Sequence, residues 1–302
     1  MAGPARSSAA LLALIAATSL GWPSAGRAAD AGPPKPQELP QGGASPGSAD
    51  SIPTDKPKLR AFCADRPAQA TLPCTVDKGH FQLETDLFNA TYDRSGGGIT
   101  DTYLATNPTL KLGIADRTDV EVNIAPYEEV RTHEPGAASS DTLYGPGDLI
   151  IRLKQNFFGD YRGPLALAIE PFVKVPTARA GIGNGAWEGG VVLPAAAALG
   201  KSIILNLSPE IDVAKDMFGG GVHLAPVEII NVTWSLPKNL TLSTELYARE
   251  DQDPAGVVTQ CSADLGLSLG LRDDLELDMG TNLGLNPQTA AVQGYIGMAK
   301  RF

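Results

Sequence analysis

The chain has 302 residues, 34 acidic and 24 basic side chains, and a net charge of −10 at pH 7. With so few bases and no basic patch, nucleic acid is not an expected partner. The length allows one or two domains, but the N-terminal stretch lacks the make-up of a packed domain. It starts with Arg6, continues through the apolar run "AALLALIAATSL" and ends on small residues, Gly26 and Ala28. This order predicts a secretory signal peptide over 1–28, since the run falls short of the ~20 residues of a spanning helix.

Residues 29–58 are rich in Pro, Gly, Ser and Ala and nearly free of large apolar side chains. Such a stretch buries too little surface to offset its ordering entropy, which predicts a disordered leader. Residues 59–79 read as a periplasmic segment. There Cys63 and Cys74 bracket the turn-rich "ADRPAQATLP". Export and spacing together predict a disulfide, which would order a loop with little core of its own. The Cys63–Cys74 segment is further expected to enter the periplasmic mouth of the strands that follow it. Cys261 is left over on an apolar strand face, where a free thiol behaves as a small hydrophobe. No second Cys or His pair lies near the first two cysteines, so no metal site is expected.

From residue 80 onward one pattern repeats. "HFQLETDLFNATY" sets Phe81, Leu83, Thr85 and Leu87 against Gln82, Glu84 and Asp86. "DLIIRLKQN" sets Leu149, Ile151 and Leu153 against Asp148, Arg152 and Lys154. "DLELDMGTNLGLN" sets Leu275, Leu277 and Met279 against Glu276, Asp278 and Gly280. A period of two means strands. About twelve of them follow, long ones, as a membrane barrel requires. "VHLAPVEIINVTW" changes phase midway, which predicts a bulge.

The connections decide which face is inside. "ADRTD", "FGDYRG", "LGKS", "LPKN" and "LRDD" are short, whereas "DRSGGGITD", "RTHEPGAASSD", "TARAGIGNG" and "KDMFGGG" are longer and richer in Gly. Short turns at one end and long loops at the other predict a transmembrane antiparallel up-and-down β-barrel in a bacterial outer membrane. Its partners would be outer-membrane lipid on the leucine face and the barrel assembly machinery. A girdle of aromatics is expected, from Phe81, Phe157, Phe158, Tyr161 and Trp234 near the short turns and from Tyr144 and Trp187 near the loops. Phe302 ends the chain like the terminal signal of such barrels, although Lys300 stands where that pattern prefers an apolar residue. Against the reading, Pro108, Pro126, Pro171, Pro194 and Pro209 fall inside proposed strands, where each removes a ladder hydrogen bond.

"PCTVDKGHFQLETDLFN", "GIADRTDVEVNIAPYE", "GPGDLIIRLKQNFFG", "EPFVKVPTARAGIGNG" and "GYIGMAKRF" together resemble the outer-membrane transporter family named after the meta-pathway of phenol degradation. The resemblance spans roughly Cys63 to Phe302. It implies a barrel linked to uptake or efflux of small, often aromatic, compounds, and assigns no substrate or residue role.

The expected channel-lining acids are Glu84, Asp86, Glu121, Asp148, Glu170, Glu188, Glu210, Asp212, Glu245, Asp264, Glu276 and Asp278, with Glu129 alongside. The bases are Lys111, Arg152, Lys154, Lys174 and Arg249, with Arg131 alongside. An acidic lumen favours cations. The alternative is a plugged structural or binding barrel without flux, crossed by salt bridges such as Glu170 with Lys174 or Asp148 with Arg152. An outer-membrane enzyme is the third reading. His80, His133 and His223 have no Ser or Cys at useful spacing, so no catalytic residue and no cofactor is expected. Pairs such as Glu210 and Asp212 arise automatically on an inward face. "GIGNG" opens no helix and is not a phosphate loop.

Overall fold

The computed structural model describes residues 59–94, 98–134, 136 and 139–302. The signal peptide and leader expected over 1–28 and 29–58 lie outside the described residues. The alternating stretches pair with one another along their length. The first strands are β1 (Phe81–Asp93), β2 (Ile99–Leu104), β3 (Thr109–Ala115), β4 (Thr118–Asn123), β5 (Glu128–His133) and β6 (Asp141–Gly145). Then come β7 (Leu149–Phe158), β8 (Ala166–Val175), β9 (Glu188–Val192), β10 (Ala195–Ala198), β11 (Ile203–Leu207) and β12 (Glu210–Lys215). The long C-terminal strands are β13 (Val222–Leu236), β14 (Leu240–Asp251), β15 (Val258–Arg272), β16 (Leu275–Gly284) and β17 (Val292–Arg301).

All pairings are antiparallel. β2 with β3, β4 with β5, β6 with β7, β9 with β10 and β11 with β12 are halves of broken staves, so among the described residues the sheet has twelve staves. β17 pairs with β1 from Gln82↔Arg301 to Tyr92↔Val292 and closes the barrel. The expected fold class holds. Closure leaves no sheet edge to aggregate or to sit unpaired in lipid.

Polarity is inverted relative to a water-soluble domain. Leu110, Leu112, Leu153, Leu246, Leu265 and Met279 are exposed on the outside, while Gln82, Glu84, Lys111, Asp119, Lys154 and Glu170 are buried inside. Phe81 and Phe302 stack with ring centroids 4.6 Å apart across the closing seam, and the Phe302 amide donates to the Phe81 carbonyl at 2.8 Å. The terminal residue therefore latches the last strand to the first. Phe302→Ala is expected to lower the yield of folded barrel, read as the fraction shifting on unboiled gels. Lys300 lies outward at this rim, ion-paired to Asp274 and 5.5 Å from the Phe302 ring. That placement keeps the charge at the interface, as snorkelling does, and explains its tolerance next to an apolar band. Phe157, Phe158, Tyr144 and Trp187 are exposed as a girdle requires. Tyr161 is not part of it: it turns inward and lines a lumenal cavity with Asn231 and Thr233.

The prolines now have an account. Pro108, Pro126, Pro194 and Pro209 occupy the breaks between half-staves. Their neighbours' donors are still satisfied, because Ile124 N donates to Pro108 O at 3.2 Å, Leu193 N to Pro209 O at 2.9 Å and Ala168 N to Pro194 O at 2.9 Å. Pro171 remains within β8, pairing with Val191 on one side, while the ladder to β7 passes from Arg152↔Phe172 to Gln155↔Ile169 without it. Around residues 105–108, 124–127 and 146–148 the alternation also slips by one residue, helped by Thr106 at φ 73°. Glu129 and Arg131, expected inward, consequently lie outside. Glu129 accepts a hydrogen bond from exposed Tyr127 at 2.8 Å, and the Arg131 guanidinium sits 5.0 Å above Tyr103.

β13 overturns another expectation. Its pairing with β11, β12 and β14 runs without a register shift, so there is no bulge. The hydropathy changes phase because Ala225, Val227 and Ile229 are inward and buried, which leaves Glu228 exposed on the outer face. What those apolar side chains touch is the key to the lumen.

Candidate functional site

Residues 59–79 lie inside the lumen. The expected Cys63–Cys74 disulfide is present and closes an eleven-residue separation into a loop. The segment runs well beyond the mouth into the barrel. Ala70, at its tip, is fully buried against Val227 and Ile229, with Ala68 and Tyr247 beside them. That small apolar contact is why β13 departs from the polar-inward rule.

Further anchors are polar. Arg66 donates to both oxygens of Asp278 at 2.7 and 3.0 Å and pairs with Asp86 at 2.7 Å. Its guanidinium lies 5.6 Å from the centre of the Tyr295 ring, whose hydroxyl donates to the Pro67 carbonyl. A fork matched to one carboxylate and touching a second is the geometry only arginine provides. Gly297 makes room for it: a Cβ there would stand 2.0 Å from the guanidinium nitrogen. A Cβ would also stand 2.6 Å from the Thr85 carbonyl oxygen of β1, so Gly297→Ala is expected both to raise single-channel conductance by loosening the segment and to lower the urea midpoint by straining the β1–β17 seam.

Beyond Arg66, the Gln69 and Ala70 amides each donate to Glu245 at 3.0 Å, and the Gln69 side chain donates to Asp264 at 2.6 Å. On the opposite wall Asp65 meets Lys111 and, at 2.8 Å, Lys154. Burial works against its ionisation, yet the two ammonium groups prevail and hold the Asp65 carboxyl below the usual range. Lys154 is fully buried and also lies 3.0 Å from Glu121 and 3.1 Å from Glu170, while Lys111 lies 2.8 Å from Glu84. A buried ammonium without such partners would be strongly unfavourable. Nearer the base, the Val76 amide donates to Asp119 at 2.8 Å, Asn156 donates to Pro73 O at 2.6 Å, and Arg301 bridges Arg60 O and Asp77.

Two pairs form differently from expectation. Glu170 pairs with Lys154 and, at 3.4 Å, Arg152, whereas Asp148 pairs with Lys174 at 3.4 Å. Cross-strand neighbours are close, but residues four apart along one strand are separated by about 13 Å. Lys174 also meets Glu188 at 2.7 Å, and Arg249 meets Asp212 at 2.5 Å, both toward the long-loop rim. Glu210 is near Asp212, and Glu276 lines the short-turn side of the lumen with Arg162.

Open space remains on either side of the segment. A cavity of about 410 Å³ is bounded by Asn107, Thr109, Asn123, Arg152 and Glu170 together with Asp65 and Gln69. A vestibule of about 940 Å³ opens among Arg60, Phe62, Arg162, Arg272 and Arg301. Asp65, Arg66, Gln69 and Asp119 were absent from the expected lining. Asp119 lies two residues before Glu121 and shares its face, so alternation alone could have found it.

A family model described as "Putative MetA-pathway of phenol degradation" matches residues 64–302. The chain belongs to this family. The match takes in the disulfide loop from its second residue onward as well as the whole barrel. No curated protein matches the chain. Among solved structures, an outer membrane channel from Pseudomonas putida F1 superposes with a TM-score of 0.61 at 11% identity, covering 79% of this chain and all of that one. At that identity the likeness establishes the fold. The NanC porin gives a TM-score of 0.48 at 8% identity, over 73% of this chain and 98% of that one.

Proposed function

We propose that the protein is an outer-membrane channel for small solutes, with residues 59–79 narrowing the path. The observation that carries this is a closed barrel, greasy outside, whose polar interior keeps cavities on both sides of a segment held by side-chain contacts. The family's link to phenol degradation supports small aromatic compounds as the solute class, and the shared fold with the outer membrane channel of Pseudomonas putida F1 supports a channel. The signal peptide expected over 1–28 would deliver the chain across the inner membrane. The second reading, a closed barrel without flux, draws on the same segment. Conductance in a planar bilayer separates the two: the full chain should give small, cation-favouring steps, and silence would favour the closed barrel. Catalysis forms no part of the proposal.

The lipid-facing reading has its own test in Glu228. A carboxylate on the hydrocarbon face is unfavourable by an amount that grows with depth. Glu228→Leu should stabilise the barrel by about 1 kcal/mol, seen as a higher urea midpoint in lipid vesicles. A lower midpoint would mean that Glu228 faces something other than lipid.

A further inference from the structure

At the long-loop rim four side chains meet that the lumen does not use. His223, second residue of β13, has a side chain only 6% exposed. Its Nδ1 lies 2.9 Å from Asp216 Oδ1 and 3.5 Å from Asp253 Oδ2, and these three atoms all fall within 4.8 Å of one another. On the other side of the ring its Nε2 is buried, 2.6 Å from Asp251 Oδ1. We propose that Nδ1 of His223 with one oxygen each of Asp216 and Asp253 binds a divalent transition-metal ion, zinc being the probe of choice.

Three arguments converge. The first is donor chemistry: one imidazole and two carboxylates, leaving a position for water, is a set that zinc accepts. The second is spacing. Tetrahedral bonds of about 2.0–2.2 Å put donor atoms about 3.4 Å apart. The 3.5 Å edge already meets that, and the 2.9 Å edge needs to open by a few tenths of an ångström. The third is the far side of the ring. Metal-bound imidazoles commonly give their other N–H to a carboxylate, and Asp251 is in place to take it once the ring turns slightly.

Charge points the same way. Three carboxylates crowd one imidazole, and the nearest guanidinium, Arg249, lies 3.8 Å from Asp251 while already paired at 2.5 Å with Asp212. A dication would offset the excess that a protonated histidine only partly relieves. There is structural consequence as well. Asp216 follows β12, and Asp253 lies in the connection after β14, so the ion would tie two neighbouring loops on either side of β13. Gly221 packs so tightly on the Asp216 carboxylate that a Cβ there would meet it at 2.2 Å.

The test uses the full folded chain in detergent, stripped with a chelator and dialysed against zinc. One zinc per chain is expected. His223→Ala and Asp216→Asn should weaken binding at least tenfold, Asp251→Asn by about ten- to a hundredfold through the ring's orientation, and His80→Ala not at all. Gel migration with and without boiling confirms that each variant is folded. Cobalt in place of zinc should give visible absorption bands that His223→Ala abolishes. No zinc bound by the unaltered chain, or equal binding by folded His223→Ala, would overturn the proposal and leave an ion-paired loop contact.

Discussion

A chain lacking residues 59–78 is expected to conduct several-fold more current through a planar bilayer than the full chain. The segment occupies the lumen from the short-turn mouth to Ala70, and its anchors are side-chain hydrogen bonds and ion pairs on the inner wall. The barrel's own ladder, including closure between β1 and β17, does not involve it. Its loss should therefore empty the pore without opening the wall. The deletion also removes Arg66 from Asp86 and Asp278, and the Gln69 and Ala70 donors from Glu245 and Asp264. Those carboxylates would then face water, so cation preference should sharpen along with conductance. Unchanged conductance in a correctly folded deletion would mean that the segment does not set the path.

The second large effect is expected from Arg66→Ala. Asp278 and Asp86 would be left buried without their cation, and removing one partner of such a pair costs about 3–5 kcal/mol. The segment can respond by leaving the lumen, which lets water reach the two acids and limits the loss. Two readouts should therefore move together: a lower urea midpoint, followed by fluorescence of Trp187 and Trp234, and conductance approaching that of the deletion. Arg66→Lys should fall between, since it keeps the charge and loses the two-pronged contact with Asp278. A variant with the full chain's midpoint and conductance would show that this clamp contributes little.

Much of the barrel was legible because lipid and water impose alternation on each stave. Glu84, Glu170, Asp212, Asp264 and Asp278 fell inward by simple counting. Counting failed at two kinds of place. Around Pro108, Pro126 and Pro146 the backbone slips by one residue, so Glu129 and Arg131 change sides, and hydropathy alone does not record a slip between two polar runs. In β13 the interior is apolar at Val227 and Ile229 because Ala70 lies against them. Residues 59–79 have no periodicity, so their path depends on partners hundreds of residues away. The charge in "ADRP" was visible, but its targets were not. The salt bridges have a simpler lesson: the sequence displays neighbours along a strand, whereas neighbours across it follow only from the register.

The lumenal segment comes first among the described residues, yet several of its holding points come last. Asp278 is on β16, and Tyr295 and Arg301 are on β17. A stretch made before the strands that hold it must wait for the final hairpin before it has a complete berth. Assembly intermediates short of β16 and β17 would thus carry an undocked N-terminal loop, reachable by a protease that spares the finished molecule.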